Sequence, residues 1–427
     1  MAELKDHPLR YALANELHAR PFPPLEAPCR AAYVAIKRPE EAAARDRDVD
    51  RAHLIDLLDR FGAPHPQPGA THWFGQIGKH QLKWESHTEF VTYTVFGPGN
   101  AERPFDARTF EVFPEEWLDR APGVRITSAL IRVEMWDGEA DIRPKLDDWF
   151  VPESLAASVV LDRTALVAGD FRIDSAGHMR FGVFVKPDTG PRRVGRIVQR
   201  LCEIETYKAM SMLGLARVRE LGPTMAQLDN ELTTLMGQMT GSSAGAEETL
   251  GALLKISSEL ENILARSAFR FGATGAYEAL VTQRIAVLRE ERYHGRQTFG
   301  EFMMRRFDPA MRTVKAGEGR LHAMSERAMR AGNLLRTRVD VERSAQNQDL
   351  LESMNHRADL QLRLQRTVEG LSVVAISYYA VNLAIYVLGP VGAELDVSKL
   401  VLTAVVTPVV ILAVWALIRR LRRDMER

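Results

Sequence analysis

Two runs near the end of the chain carry no charged residue at all. Residues 371–389 read LSVVAISYYAVNLAIYVLG, and residues 400–418 read LVLTAVVTPVVILAVWALI. A helix needs about 20 predominantly apolar residues to cross roughly 30 Å of hydrocarbon, and each run supplies that length. Between them lie Pro390 to Lys399, short and turn-forming, so the pattern predicts a two-helix transmembrane hairpin over 368–427. Arg357, Arg363 and Arg366 precede the first run, and Arg419, Arg420, Arg422, Arg423 and Arg427 follow the second. The connecting segment holds only Glu394, Asp396 and Lys399, so the positive-inside rule places both termini in the cytoplasm. Tyr386 and Trp415 fall near the span ends, where interfacial aromatics collect.

The first run is more polar than an anchor requires. Ser372, Tyr379, Asn382 and Tyr386 recur at helical spacing and form one face of hydroxyls and an amide. Helix–helix packing in a hairpin or oligomer is the preferred reading of that face; a stripe lining a conduction path is the alternative. Pro408 is tolerated in a membrane helix and argues for neither.

A chain of 427 residues is too long for one ordinary core, and two or three domains are expected. Fifty-six basic residues balance fifty-six acidic ones, which argues against general nucleic-acid binding. Two distant cysteines, Cys29 and Cys202, suggest a reducing compartment rather than a disulfide framework. The first residues lack an apolar core of the signal-peptide kind, so the part before the spans is expected to be cytosolic.

Residues 1–190 are expected to form an α+β domain with a mixed or antiparallel sheet. An apolar run, Ala31 to Ile36, precedes a charged helical stretch from Glu40 to Arg60. Trp73 to Gly78 and Gln81 to Phe96 predict two strands around a Gly78–His80 turn. Arg125 to Trp136, Ser158 to Leu161, Thr164 to Asp174 and Met179 to Val185 predict more. Residues 191–367 are almost free of strand signals and read as a coiled-coil-like bundle of long helices, with Pro223 and Pro309 as helix starts or breaks. Met311, Val314, Leu321, Met324, Ala328, Ala331, Leu335 and Val339 make a broken heptad seam. Leu350, Leu351, Met354, Leu360 and Leu364 continue the helix to the first span. The dense arginine and acid on these helices reads as a solvated surface.

Catalytic motifs are absent from the sequence: there is no phosphate-binding glycine loop, HExxH or GxSxG. The chain is therefore expected not to be an enzyme, and no cofactor is assigned. His72, His80 and His87 flank one predicted hairpin and are the only candidate metal ligands, although their spacing fits no standard zinc pattern. Glu16, His18 and Arg20 pack an acid, an imidazole and a guanidinium into five residues. That cluster can bind an anion or staple the N-terminus, and the staple is preferred.

Two stretches carry a resemblance. They are Asn15-Glu16-Leu17-His18-Ala19-Arg20-Pro21, and the segment from Gln346 to Asn355 continuing through Leu362 to Ser372 and Ser377-Tyr378-Tyr379. With them the whole chain resembles domain-of-unknown-function family 3422, bacterial membrane-anchored proteins with no established activity. The resemblance implies a bacterial inner-membrane protein and little beyond that. The two spans themselves make it multi-pass with the lipid bilayer as partner, and the long helices are expected to join further copies of the chain, leaving the cytosolic α+β domain to bind a partner or ligand. The order of parts is also similar to that of CorA-type magnesium channels, which implies an oligomeric divalent-cation channel as the alternative function. The Gly-Met-Asn signature of those channels is replaced here by Tyr386-Val387-Leu388-Gly389-Pro390-Val391.

Overall fold

The structure, a computed structural model, describes residues 4–16, 22–39, 44–240, 245–394 and 398–425. By internal contacts the chain divides into two compact units, Met1–Ser243 with Gly251–Ala331, and Ala244–Leu250 with Gly332–Arg427.

The first unit is built on a nine-stranded mixed sheet. Its strands are β1 (Cys29–Lys37), β2 (His72–Ile77), β3 (His80–Ser86), β4 (Phe90–Pro98), β5 (Val124–Met135), β6 (Ala156–Val160), β7 (Ala165–Gly169), β8 (Met179–Val185) and β9 (Glu291–Arg292). They lie in the order β2-β3-β4-β1-β5-β8-β7-β6-β9. Only β5 and β8 pair in parallel; every other described neighbour is antiparallel. The helices are α1 (Arg10–Glu16), α2 (Arg47–Arg60), α3 (Glu115–Asp119), α4 (Glu139–Trp149), α5 (Pro191–Thr240), α6 (Ala246–Ala286), α7 (Phe299–Arg306), α8 (Asp308–Glu394) and α9 (Lys399–Met425). The sheet contains one pattern twice: strand, helix, then a three-strand meander, as β1-α2-β2-β3-β4 and again as β5-α4-β6-β7-β8. The two copies meet along β1 and β5.

Alternation along the strands separates two faces. Ala32, Val34 and Ile36 of β1, Leu82 and Trp84 of β3, and Val91, Tyr93 and Val95 of β4 pack with Leu54, Leu57 and Leu58 of α2 and Trp117 of α3. A second apolar cluster joins Ile142, Leu146 and Trp149 of α4 to Ala157, Val159, Leu166 and Phe184. The alternate side chains, among them Tyr33, Lys83 and Thr127, meet α5 instead. Glycine lets α5 approach other segments closely: a Cβ on Gly195 would collide with the Pro23 carbonyl oxygen, and one on Gly214 with Thr274 Oγ1 of α6.

Several expected boundaries shift. Gln81 to Phe96 is not one strand but two, because Ser86 to Glu89 turns the chain and His87 N–H donates to the Phe90 carbonyl (2.9 Å). The helices expected on either side of Pro223 are one helix, α5, which runs through it. Pro309 instead sits in the first turn of α8, where its missing N–H costs no hydrogen bond. Likewise Pro390 does not end the first apolar run; α8 continues to Glu394. The two-residue strand β9 lies in a region expected to be helical and extends the sheet edge beside β6. The heptad seam is as expected: Met311, Val314, Leu321, Met324, Ala328, Ala331, Leu335 and Val339 are all buried.

In the second unit α8 and α9 are long and apolar enough to cross a membrane. Among the described residues of these two apolar runs, only Ser377 and Val414 are buried. Leu350, Leu351, Met354, Leu360 and Leu364, upstream on α8, are exposed.

Candidate functional site

Enclosed polar ground in the first unit lies between the sheet and α5. Lys83 and Glu85 alternate with Leu82 and Trp84 on β3, so the apolar pair enters the core and the charged pair faces α5. Lys83 Nζ donates to Gln199 Oε1 (2.7 Å) and lies 3.2 Å from Glu85 Oε1. Gln199 Nε2 in turn donates to Glu203 Oε1 (2.8 Å), and Glu203 pairs with Arg284 of α6. About one turn along the helix, Thr206 Oγ1 donates to the Cys202 carbonyl (2.8 Å), which leaves that hydroxyl to accept from Tyr33 Oη. Glu205 accepts from Thr127 Oγ1 (3.0 Å) and pairs with Lys208 (2.6 Å). Burial pushes the Cys202 thiol and the Tyr33 hydroxyl well above their ordinary values, so both stay protonated and the thiol is a poor nucleophile. The cavity enclosed here is ≈ 20 Å³, room for a water or two rather than a substrate. This is a satisfied polar layer that fixes the register of α5 on the sheet.

A second buried ionic cluster sits at the β3–β4 turn. Arg45 pairs with Asp50 and donates to Ser86 Oγ (3.2 Å) and the Phe90 carbonyl (3.0 Å). Glu89, with no exposed surface, pairs with Arg270 of α6. The ring of Tyr277 lies beside Phe90 and stacks on Tyr207. Burial together with the Glu89 carboxylate raises the Tyr277 hydroxyl. Here α6 is tied to the hairpin that α5 covers. The sequence signal for both clusters was charge on a strand or turn, which reads as a solvent face until α5 and α6 are known to cover it.

The histidines do not converge. His72 pairs with Glu85 at the end of the hairpin where His87 leaves, while His80 opens β3 at the turn, five residues or about 17 Å along the strand. His87 stacks on Phe90 (4.4 Å). His80 lies against Gly97 on the neighbouring β4, and burial lowers its basicity. Among the described residues no group of three His, Cys, Asp or Glu side chains is placed to hold a metal ion. Of the Glu16–His18–Arg20 cluster, His18 and Arg20 and the side chain of Glu16 lie outside the described residues.

On α8 the polar face is laid out as the spacing implies, and two of its groups bond to their own helix. Asn382 Nδ2 donates to the Tyr378 carbonyl (3.0 Å), and Ser372 Oγ donates to the Val368 carbonyl (2.8 Å). Tyr379 and Tyr386 are exposed, the latter to 82%. The side chain that is buried, Ser377, lies two residues from Tyr379 and so about 200° around the helix from it. The polar stripe and the shielded side of α8 are therefore different faces.

Comparison with known families supplies the rest. A family model described as protein of unknown function (DUF3422) matches residues 5–425. The chain belongs to this family. No curated protein matches the chain. The match spans the sheet, the long helices and both apolar helices of this chain.

Proposed function

We propose that this member of the family is a bacterial inner-membrane protein that works by binding rather than by catalysis. A C-terminal helical hairpin anchors it, and its α+β unit is held in the cytoplasm. The observation that carries this reading is the exposure of the apolar side chains from Leu371 to Leu417. Each exposed Leu, Ile or Val forfeits roughly 1.5–3 kcal/mol of burial, and the two runs together forfeit on the order of tens of kcal/mol. That exceeds the about 5–15 kcal/mol by which a folded domain is stable, so these helices need an apolar solvent. The arginines outside both spans favour cytoplasmic termini, with Ser398 and Lys399 on the far side.

Exposed Leu350, Met354, Leu360 and Leu364 follow a buried heptad seam on the same helix, which favours a second copy of the chain as their cover. The satisfied polar layer under α5 and the protonated Cys202 favour a binding role over covalent chemistry. Membranes from cells expressing the full chain, washed with alkaline carbonate, test the anchor. The chain is expected in the pellet and released only by detergent; release by carbonate overturns the reading.

A further inference from the structure

A cleft at the β9 edge of the sheet gathers arginines from three separate segments. Arg172 comes from the loop after β7, Arg292 and Arg296 from β9 and the loop beyond it, and Arg305 and Arg306 from the last turn of α7. The cleft has a volume of ≈ 580 Å³, enough for a small organic ligand.

Its charge is not balanced from within. Arg292 pairs with Glu301, Arg296 with Asp147 (2.5 Å), and the Asp170 carboxylate is taken up by Arg180 (2.7 Å) and the N–H groups of Val151 and Arg172. Among the described residues, Arg172, Arg305 and Arg306 have no carboxylate partner, and Glu153 is the one acid lining the cleft that has no cation. Three unpaired guanidinium groups less one carboxylate leave a net charge of +2. A solvated surface would scatter such charges; here they meet across one opening.

The backbone adds an independent sign. Phe171, next to Arg172, has φ 52°, a left-handed conformation that residues with a Cβ rarely adopt. Its ring stacks on Phe302 of α7 at 4.3 Å, and Lys208 Nζ lies 5.1 Å from its centre on top of its pairing with Glu205. The turn at Phe171 thus packs its ring against α7 and leaves the next side chain, Arg172, at the cleft, steadied by its Nε–H donating to Ser154 Oγ (2.8 Å). The helix dipole accounts for Arg305 and Arg306 as last-turn residues, but not for Arg172. The C-terminus of α7 on its own repels an anion with a fraction of a charge, and two guanidinium groups outweigh it.

We infer that this cleft binds a phosphoryl-bearing ligand, its phosphate oxygens held by Arg172, Arg305 and Arg306. Arginine suits this because its planar fork of N–H donors matches phosphate geometry and stays charged at every physiological pH. The inference deepens the binding role proposed above and rests on it, but the membrane anchor stands apart from it. The phosphoryl group can belong to a soluble metabolite or to a lipid headgroup.

The test uses the full chain in phosphatidylcholine nanodiscs, titrated with inorganic pyrophosphate at low ionic strength by calorimetry. One saturable site is expected. Arg172→Gln weakens it about tenfold, the value of one charge-assisted contact, and the triple Arg172→Gln/Arg305→Gln/Arg306→Gln abolishes it. Glu153→Gln removes the opposing charge and tightens binding severalfold. All four side chains are exposed, so melting of each variant should match wild type. If phosphatidylglycerol in the nanodisc competes with pyrophosphate, the site takes a lipid headgroup; if it does not, the site takes a soluble ligand. No saturable binding, or wild-type affinity in the triple variant, overturns the inference, while incorporation into nanodiscs reports separately on the anchor.

Discussion

His53 and Trp117 hold each other from both ends. Trp117 Nε1–H donates to the His53 carbonyl (2.8 Å), His53 Nε2–H donates to the Trp117 carbonyl (3.0 Å), and the rings stack at 3.9 Å. Because a carbonyl only accepts, Nε2 carries the proton and Nδ1 accepts from Tyr93 Oη (3.1 Å). This reciprocal clasp fastens α3 to α2 beneath the β1–β4 half of the sheet. Trp117→Phe keeps one aromatic ring but removes the Nε1–H donor and the rest of the indole from a fully buried site. It should destabilise the α+β unit by about 2–4 kcal/mol, read as a lower urea midpoint for the loss of its near-ultraviolet circular dichroism.

The neutral state of His53 has a consequence for pH. Burial lowers the basicity of His53, and it does the same to His80 and His178. A histidine with a depressed folded pKa binds fewer protons folded than unfolded. Its contribution to stability is present above the unfolded value of about 6.5 and is lost as pH falls through the folded value. Stability measured by urea unfolding should therefore be flat from pH 8 to 7 and decline below about 6.5. The decline should be shallower in His53→Gln; a profile that rises toward acid would contradict this.

The Glu89–Arg270 pair should be costly to split and cheap to replace. Glu89 has no exposed surface, and removing it leaves the largely shielded Arg270 guanidinium without its partner. Glu89→Ala is expected to cost roughly 3–5 kcal/mol, whereas Glu89→Met with Arg270→Met should recover much of that. Equal losses in the single and double variants would show that the pair is not the source of the cost.

Asn382 places one amide N–H on the Tyr378 carbonyl of its own helix, which lowers the cost of leaving it without a partner helix. Asn382→Leu should leave membrane insertion and the size of the particle in detergent unchanged. Ion flux into liposomes should be equal for the two proteins. A flux present in wild type and lost in Asn382→Leu would return the polar face of α8 to a conducting role.

What the sequence made legible follows from which signals are local. The strand at Met179–Val185 and the buried seam from Met311 to Val339 could be read directly, because alternation and heptad spacing report which face is apolar. Long-range cover could not be read. Lys83, Glu85 and Glu89 look like solvent-facing charges until α5 and α6 close over them, and β9 is too short to carry a strand pattern. The proline at 223 misled for a physical reason: in a helix packed along its length, one lost hydrogen bond is outweighed by the burial of Leu221, Met225 and Leu228 on either side. The arginine cleft was equally hidden, since Arg172, Arg292, Arg296, Arg305 and Arg306 come together only through the β6–β9 pairing and the placement of α7.

The central claim is that α8 and α9 form a membrane hairpin with its connection outside and the rest of the chain inside. Single cysteines at Ser398 and at exposed Leu350 test it directly, because the native Cys29 and Cys202 are both buried. In intact spheroplasts an impermeant maleimide should label Ser398→Cys, and should label Leu350→Cys only after the membrane is opened. Labelling of Leu350→Cys from outside, or none of Ser398→Cys, would contradict the account.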